Sequence, residues 1–307
     1  MELLQKLIAI RGTSGDESEI KNYIKAYVME NLGNWKVQPE IIDGDGFQDA
    51  LILVFGKPRT AIFAHTDTIG FTVGYNNQLI KIGGPVIQEG LALVGSDSSG
   101  EIETELMVIE NEVGQTFYKC VYDRVIDRGT PLSFKPNFRN ETHSISTPYL
   151  DNRLGVWSAL RVAENLEDGA IVFSTYEEHG GGSVGFLGKY LLEKHNIKQA
   201  LISDITWVTD GVQHGKGVAI SMRDQGIPRR VFLNKIIAIA KDSKIPYQLE
   251  VESAGGSDGT MLQKTSLPFD WCFIGAPENN VHSPDETVYK NDINAMVAMY
   301  ELLMLEL

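Results

Sequence analysis

Five places in the sequence gather residues able to hold a metal ion or move a proton. His65-Thr66-Asp67 follows the apolar run Ala61-Ile62-Phe63-Ala64, and Glu177-Glu178-His179 follows Ile171–Thr175 by way of Tyr176. Asp204 follows Leu201-Ile202-Ser203, and His282-Ser283-Pro284 comes after Trp271–Ile274 through Gly275-Ala276-Pro277. Asp151-Asn152-Arg153 stands at the start of an expected helix. Imidazole nitrogen and carboxylate oxygen are the ligand set of zinc-like ions, and two such ions can share a bridging carboxylate. His65, Asp151, Glu178, Asp204 and His282 bring three negative charges, which two divalent ions and one hydroxide neutralise, so a cleft can hold the assembly at low Coulombic cost. Asp67, two residues along an extended segment, is placed to hold the other ring N–H of His65. Glu177, beside a ligand but not needed as one, stays free for proton transfer.

Taken singly, each group has a plain structural reading. His-x-Asp is also an ordinary hydrogen-bonded pair, and Asp151 is also a normal helix N-cap. Adjacent glutamates commonly form a solvated face, and Asp after a strand is a routine turn residue. The conjunction favours chemistry, because nearly all five ligand candidates follow buried strands. In an open α/β sheet, ligands collect beyond the carboxyl ends of those strands.

The elements that must position these residues alternate along the chain. Glu2–Ile10 and Glu17–Glu30 read as amphipathic helices, with Asp16 available as a cap for the second. Ala50–Phe55 and Thr60–Ala64 read as buried strands. Between about Phe71 and Ser146 the sequence is rich in β-formers and turn signals and shows no helical period. From Leu150 the α/β rhythm returns, with helices over Asn152–Leu166, Ser183–His195, Arg229–Lys241 and Asp292–Leu305. Strands are expected over Ala170–Thr175, Ala200–Ser203, Gly217–Ser221, Tyr247–Val251 and Phe269–Ile274. This pattern predicts an α/β fold, a doubly wound and mostly parallel sheet with a small inserted all-β domain. The expected division is 1–70 with 147–307 as the catalytic domain and 71–146 as the insert.

Composition limits the partners. The 307 residues carry 27 basic and 41 acidic side chains, a net charge of −14. That sign disfavours nucleic acid and anionic membranes. No apolar run approaches the ~18 residues of a membrane helix, and the two cysteines, Cys120 and Cys272, form neither a disulfide framework nor a CxxC pair. A cytoplasmic protein without nucleic-acid or membrane partners is expected.

In their order and spacing, His65-Thr66-Asp67-Thr68-Ile69-Gly70-Phe71, Leu150-Asp151-Asn152-Arg153-Leu154-Gly155, Glu177-Glu178, Asp204 and Val281-His282-Ser283-Pro284 resemble the co-catalytic metallo-aminopeptidases. The likeness is greatest to the M42 family of glutamyl-aminopeptidase and TET-like peptidases, which are related to the M20 and M28 peptidases; Gly255-Gly256-Ser257-Asp258 resembles a further glycine-rich segment of the family. The long interval from His65 to Asp151 matches the M42 habit of inserting a β-domain there. The resemblance implies a zinc-peptidase/phosphorylase-like fold and two divalent ions per chain, zinc first, with cobalt or manganese also compatible with the ligands. It makes Asp151 the bridge, His65 and Asp204 the ligands of one ion, Glu178 and His282 those of the other, and Glu177 the general base. The implied activity is removal of N-terminal residues from peptides by metal-activated water, in a homo-oligomer with a dimer favoured. Thr68 stands where the family often has glutamate, and His179-Gly180-Gly181-Gly182 and Glu278-Asn279-Asn280 also depart from its pattern; these positions bear on substrate preference. Two other readings use the same residues. An M20-type amidohydrolase or dipeptidase would require a cationic clamp such as Arg223, Arg229 or Arg230, and a non-catalytic metal-binding scaffold would have no need of Glu177.

Overall fold

The strands expected to be buried lie side by side. The computed structural model describes residues 1–307. At its centre the strands Gly169–Ser174, Thr60–His65, Gln199–Trp207 and Asp270–Asn279 run parallel in that spatial order. Antiparallel strands extend both flanks. Leu51–Phe55 and Glu40–Ile42 lie beyond Gly169–Ser174, and Thr287–Tyr289, Ser144–Ser146 and Arg139–Asn140 lie beyond Asp270–Asn279. Val218–Ser221 also pairs with Asp270–Asn279 and carries Tyr247–Glu250 on its far side.

The two-residue period of the strands divides the core between the two faces of the sheet. Ile171, Phe173, Ile62 and Leu201 enter the larger core, whereas Ala170, Val172, Phe63 and Ile202 enter the smaller one. The helices Glu2–Ala9, Ser18–Asn31, Leu150–Ala163, Arg230–Asp242 and Lys290–Glu306 contribute their buried stripes to the larger core. Val184–His195 and Asp258–Lys264 cover the other face through Val184, Leu187, Leu191 and Leu262. Helices on both faces make the sheet doubly wound, and the middles of its central four strands are mostly apolar because neither face meets water there. Each fully buried Phe or Leu contributes about 1.5–3 kcal/mol.

Gly70–Val73, Gln78–Ile82, Thr116–Val121, Gly100–Glu110, Ala92–Asp97 and Pro131–Phe134 close into a separate antiparallel barrel. Phe71, Leu93, Leu106 and Leu132 fill it. The chain rejoins the large sheet at Arg139, earlier than the expected return at residue 147. Tyr149 ties barrel to body: its hydroxyl donates to the Phe134 carbonyl at 3.2 Å, two residues before Asp151.

The expected Asp16 cap fails, and so does the plain capping alternative for Asp151. The residue flanking the Ser18–Asn31 helix is Glu17, and no side chain caps that end, so Asp16 does not. Asp151 is no cap either. It lies inside the first turn of Leu150–Ala163 with non-helical backbone (φ −79°, ψ 103°), which frees its carboxylate for other partners.

Candidate metal centre

All five ligand candidates meet at the carboxyl edge of the parallel strands. His65 ends its strand beside Ser174, and Glu177 and Glu178 follow Ser174 on the neighbouring strand. Asp204 lies within the long strand Gln199–Trp207, opposite Gly275, and not after the strand as the sequence suggests. The Leu150–Ala163 helix reaches the edge because Gly155 lets it pack against that strand: a Cβ there would stand 2.2 Å from the Ser203 carbonyl oxygen. Asn152 fixes the contact by donating to the same carbonyl at 2.8 Å.

The carboxylate of Asp151 is divided between two imidazoles. Its Oδ1 lies 3.2 Å from His65 Nε2, and its Oδ2 lies 3.3 Å from His282 Nε2. Asp204 Oδ2 stands 3.6 Å from His65 Nε2, and Glu178 Oε2 stands 3.2 Å from His282 Nε2. Two lobes result, His65 with Asp204 and His282 with Glu178, with Asp151 common to both. Glu177 Oε2 is more distant, 4.0 Å from His65 Nε2. Each imidazole offers Nε2 to the centre because its Nδ1 donates elsewhere, to the Asp67 carbonyl for His65 and to the Gly84 carbonyl for His282, both at 3.2 Å.

Asp67 does not line the cavity. It lies fully buried beneath the centre, where Oδ1 faces His65 Nδ1 at 3.4 Å and accepts the Glu177 N–H at 3.0 Å. Its Oδ2 accepts the Glu178 N–H at 3.1 Å and the Ser14 hydroxyl at 2.7 Å. One residue thereby supports the ligand imidazole, through its carbonyl more closely than through the carboxylate expected from the sequence, while the carboxylate holds the backbone of the glutamate pair. His65 and its other partners hold Asp67 below the usual carboxylate range against the pull of burial.

Charge is unbalanced without cations. Burial, reinforced by neighbouring carboxylates, pushes Glu177 and Asp204 well above their ordinary values and Glu178 up to about 7. Both imidazoles rise against burial, His65 through Asp204, Asp151 and Asp67, and His282 up to about 12 through Asp151 and Glu178. Glu178 Oε1 is buried with no hydrogen-bond partner. A buried carboxylate oxygen left unsatisfied is costly, and its neighbours are carboxylates and imidazoles. His65, Asp151 and Glu178 each direct a ligand atom into a space where those atoms lie within 4.8 Å of one another. The donor set therefore fits divalent metal.

A cavity of about 460 Å³ opens on Asp151, Glu177, Glu178, Asp204 and His282. Ile205, Trp207 and Phe273 supply apolar wall, Asp224, Glu250 and Glu252 supply acid, and no lysine or arginine lines it. Arg223, Arg229 and Arg230 are thus outside it. Arg229 instead holds Asp270 through two contacts of 2.6 Å, which removes the cationic clamp that an M20-type reading requires.

Residues 95–299 match the M42 glutamyl aminopeptidase family. The chain belongs to that family. A putative aminopeptidase of Acetivibrio thermocellus is 26% identical over 97% of this chain and 96% of its own length. The lysyl aminopeptidase of Pyrococcus furiosus is 23% identical over 100% and 97%. Among solved structures, the TET1 peptidase of Pyrococcus horikoshii superposes with a TM-score of 0.82 at 22% identity, covering 100% of this chain and 99% of that one. This M42 protein is accordingly a metal-dependent aminopeptidase, a peptide-bond hydrolase. No helix of it is long and apolar enough to cross a membrane.

Several buried acids of the centre have no role assigned in the sequence reading, Asp258 entering it only within the segment Gly255–Asp258. Glu286 accepts backbone N–H groups at the site, Asp258 bonds Ser174, and the Glu17 carboxylate accepts the Tyr176 N–H at 3.2 Å. Isolated acids in turn-rich sequence carry no spacing signal that separates them from solvated ones. The departures from the family pattern have structural partners in two cases. Thr68 donates its hydroxyl to the Gly12 carbonyl at 3.2 Å, and His179 Nδ1 accepts the Gly83 N–H at 3.2 Å. Glu278 is buried with both carboxylate oxygens unpartnered.

Proposed function

We propose that this aminopeptidase works with two divalent ions, zinc first among them, bridged by Asp151. His65 and Asp204 complete one site, and Glu178 and His282 the other. The observation that carries the reading is the division of Asp151, one oxygen toward each imidazole at 3.2 and 3.3 Å. Bound ions of this kind polarise a carbonyl and lower the pKa of water. The chain's own residues do the rest. Glu177, raised by burial and held by its backbone N–H on Asp67, accepts a proton from the attacking water and returns it to the leaving amine. Asp67 acts through His65 and the glutamate pair. The acidic cavity favours a substrate bearing a free ammonium, as an aminopeptidase substrate does, and Glu250 and Glu252 favour a basic first side chain. The lysyl specificity of the Pyrococcus furiosus relative supports that preference.

We assign 71–138 to the insert and the rest to the catalytic domain, moving the expected boundary from 146 because Arg139–Asn140 and Ser144–Ser146 pair within the large sheet. The insert has its own core and reaches the cavity through Gly84. The Pyrococcus horikoshii relative assembles into a tetrahedron or a large octahedral shell. That supports a homo-oligomer here, and we take a dimer as its state. The free thiols of Cys120 and Cys272 accord with a cytoplasmic location. The deciding experiment is metal analysis of the full chain and its Asp151→Asn variant, with hydrolysis of Lys-, Arg-, Leu- and Glu-reporter substrates and their N-acylated forms. Two ions in the parent, their loss in the variant and hydrolysis of free-amine Lys and Arg substrates are expected. One ion in the parent, or faster cleavage of N-acylated substrates, overturns the reading.

A further inference from the structure

Glu286 takes no part in the assignments above, and it does not line the cavity. It is completely buried at the entry to the Thr287–Tyr289 strand. Its Oε2 accepts the backbone N–H of Asp151 at 3.2 Å, and its Oε1 accepts the backbone N–H of His282 at 3.0 Å. Its own carbonyl accepts the Thr147 N–H at 2.9 Å, which anchors it to the segment leading to Asp151. One side chain therefore grips the chain at two points far apart in sequence, both of them ligand candidates.

These two positions need an external hold more than the others do. His65 and Asp204 lie in central strands, where each is paired at its own position, His65 with Ser174 and Asp204 with Gly275. Asp151 has non-helical backbone within its turn, and His282 lies in a turn with φ 63°. Their backbone geometry is set by local bonds, and Glu286 accepts the N–H of each. We infer that Glu286 is a positioning residue that sets the separation of the Asp151 carboxylate from the His282 imidazole. The ion between Glu178 and His282 then depends on Glu286 more strongly than the ion between His65 and Asp204. This rests on the ligand assignment proposed above.

The test is a zinc titration of the metal-free full chain against a competing chromophoric chelator, for the parent and for Glu286→Gln. The amide keeps one acceptor and turns an NH₂ toward the other backbone N–H. Loss of such an outer support typically costs 10–100-fold in metal affinity. The expected result is two ions in the parent, and in the variant one ion near parental affinity with the other weakened 10–100-fold. Excess zinc should restore kcat with KM unmoved. Parental affinity for both ions, or equal weakening of both, overturns the inference, because a generally loosened fold moves the two steps alike. Should Glu286→Gln fail to give native near-ultraviolet circular dichroism, Glu286→Asp decides, since it keeps the charge but withdraws it by one methylene; unequal weakening is expected, and unchanged or equal affinities overturn. A parent that binds fewer than two ions, or an Asp151→Asn variant that retains both, would refute the ligand assignment instead.

Discussion

Glu177 and Glu178 are adjacent in sequence and chemically identical, yet the geometry gives them different work, so exchanging each for glutamine separates the roles. The Glu177 backbone N–H is held by Asp67 Oδ1 at 3.0 Å, a bond that Glu177→Gln does not touch. The amide is isosteric, so side-chain position and metal content should persist while the proton acceptor is lost. General acid–base catalysis is worth roughly 10²–10⁴-fold, or about 3–5 kcal/mol of barrier. Glu178 presents Oε2 3.2 Å from His282 Nε2, in ligand range of the same space. A carboxylate and a divalent ion about 4 Å apart interact by about 8 kcal/mol at an effective dielectric of about 20, an upper bound of roughly six decades in affinity before desolvation is subtracted. Glu178→Gln should therefore lose one ion at limiting metal and regain part of its activity when metal is raised. The assay pairs kcat on an aminoacyl reporter with elemental analysis after chelation and readdition. If Glu177→Gln lost metal and Glu178→Gln kept it with a depressed kcat, the reasoning from these distances would be refuted.

Chelation should abolish hydrolysis and lower the unfolding midpoint, and readdition of metal to about 100 times its Kd should return about 2.7 kcal/mol of stability, read by denaturant unfolding. Asp67→Asn must set its NH₂ against either the Glu177 or the Glu178 N–H; a 10–100-fold loss of metal affinity is expected, and a variant that binds zinc as the parent does would show that Asp67 is dispensable. Burial and the charge of Asp67 raise Glu17 from 4.5 to about 7, so the unfolded chain releases this proton first and the folded state loses stability as pH climbs through that interval. Between pH 5 and pH 8, Glu17→Gln should gain about 3 kcal/mol relative to the metal-free parent in urea unfolding; a constant difference would refute it.

What was legible in the sequence was whatever periodicity and strand ends encode. Apolar runs marked the central strands, and His65 and the glutamate pair stood where such runs stop. Asp204 was found through the same logic although its strand continues to Trp207, because the run turns polar at Ser203 before the ladder ends. The short helix Asp258–Lys264 escaped because two turns give too little period to count, and Glu40–Ile42 because three residues give none. The supporting layer was illegible for another reason. Glu286, Asp258 and Glu17 are buried carboxylates whose role comes from partners far away in the chain, and local sequence does not distinguish them from surface acids. Asp151 shows the same limit: its place at the centre overrode a local preference for capping.

The barrel's hold on the two histidines has a consequence for the order of assembly. Gly83 and Gly84 are consecutive residues leaving the barrel strand Gln78–Ile82; the first donates its N–H to His179 and the second accepts from His282 Nδ1. Gly84 can stand so close because it has no side chain, since a Cβ there would meet His282 Nδ1 at 3.2 Å. The His65 half of the centre uses only the large sheet and its helices: the strands that carry His65 and Asp204, and the Leu150–Ala163 helix that carries Asp151. The His282 half must wait for a second, independently closed sheet to dock, a contact between segments 198 positions apart. Units with their own cores generally fold as units, and docking of one on the other is a later step. The two halves of the centre should thus mature at different times on the folding pathway, the half within the sheet ahead of the half at the seam.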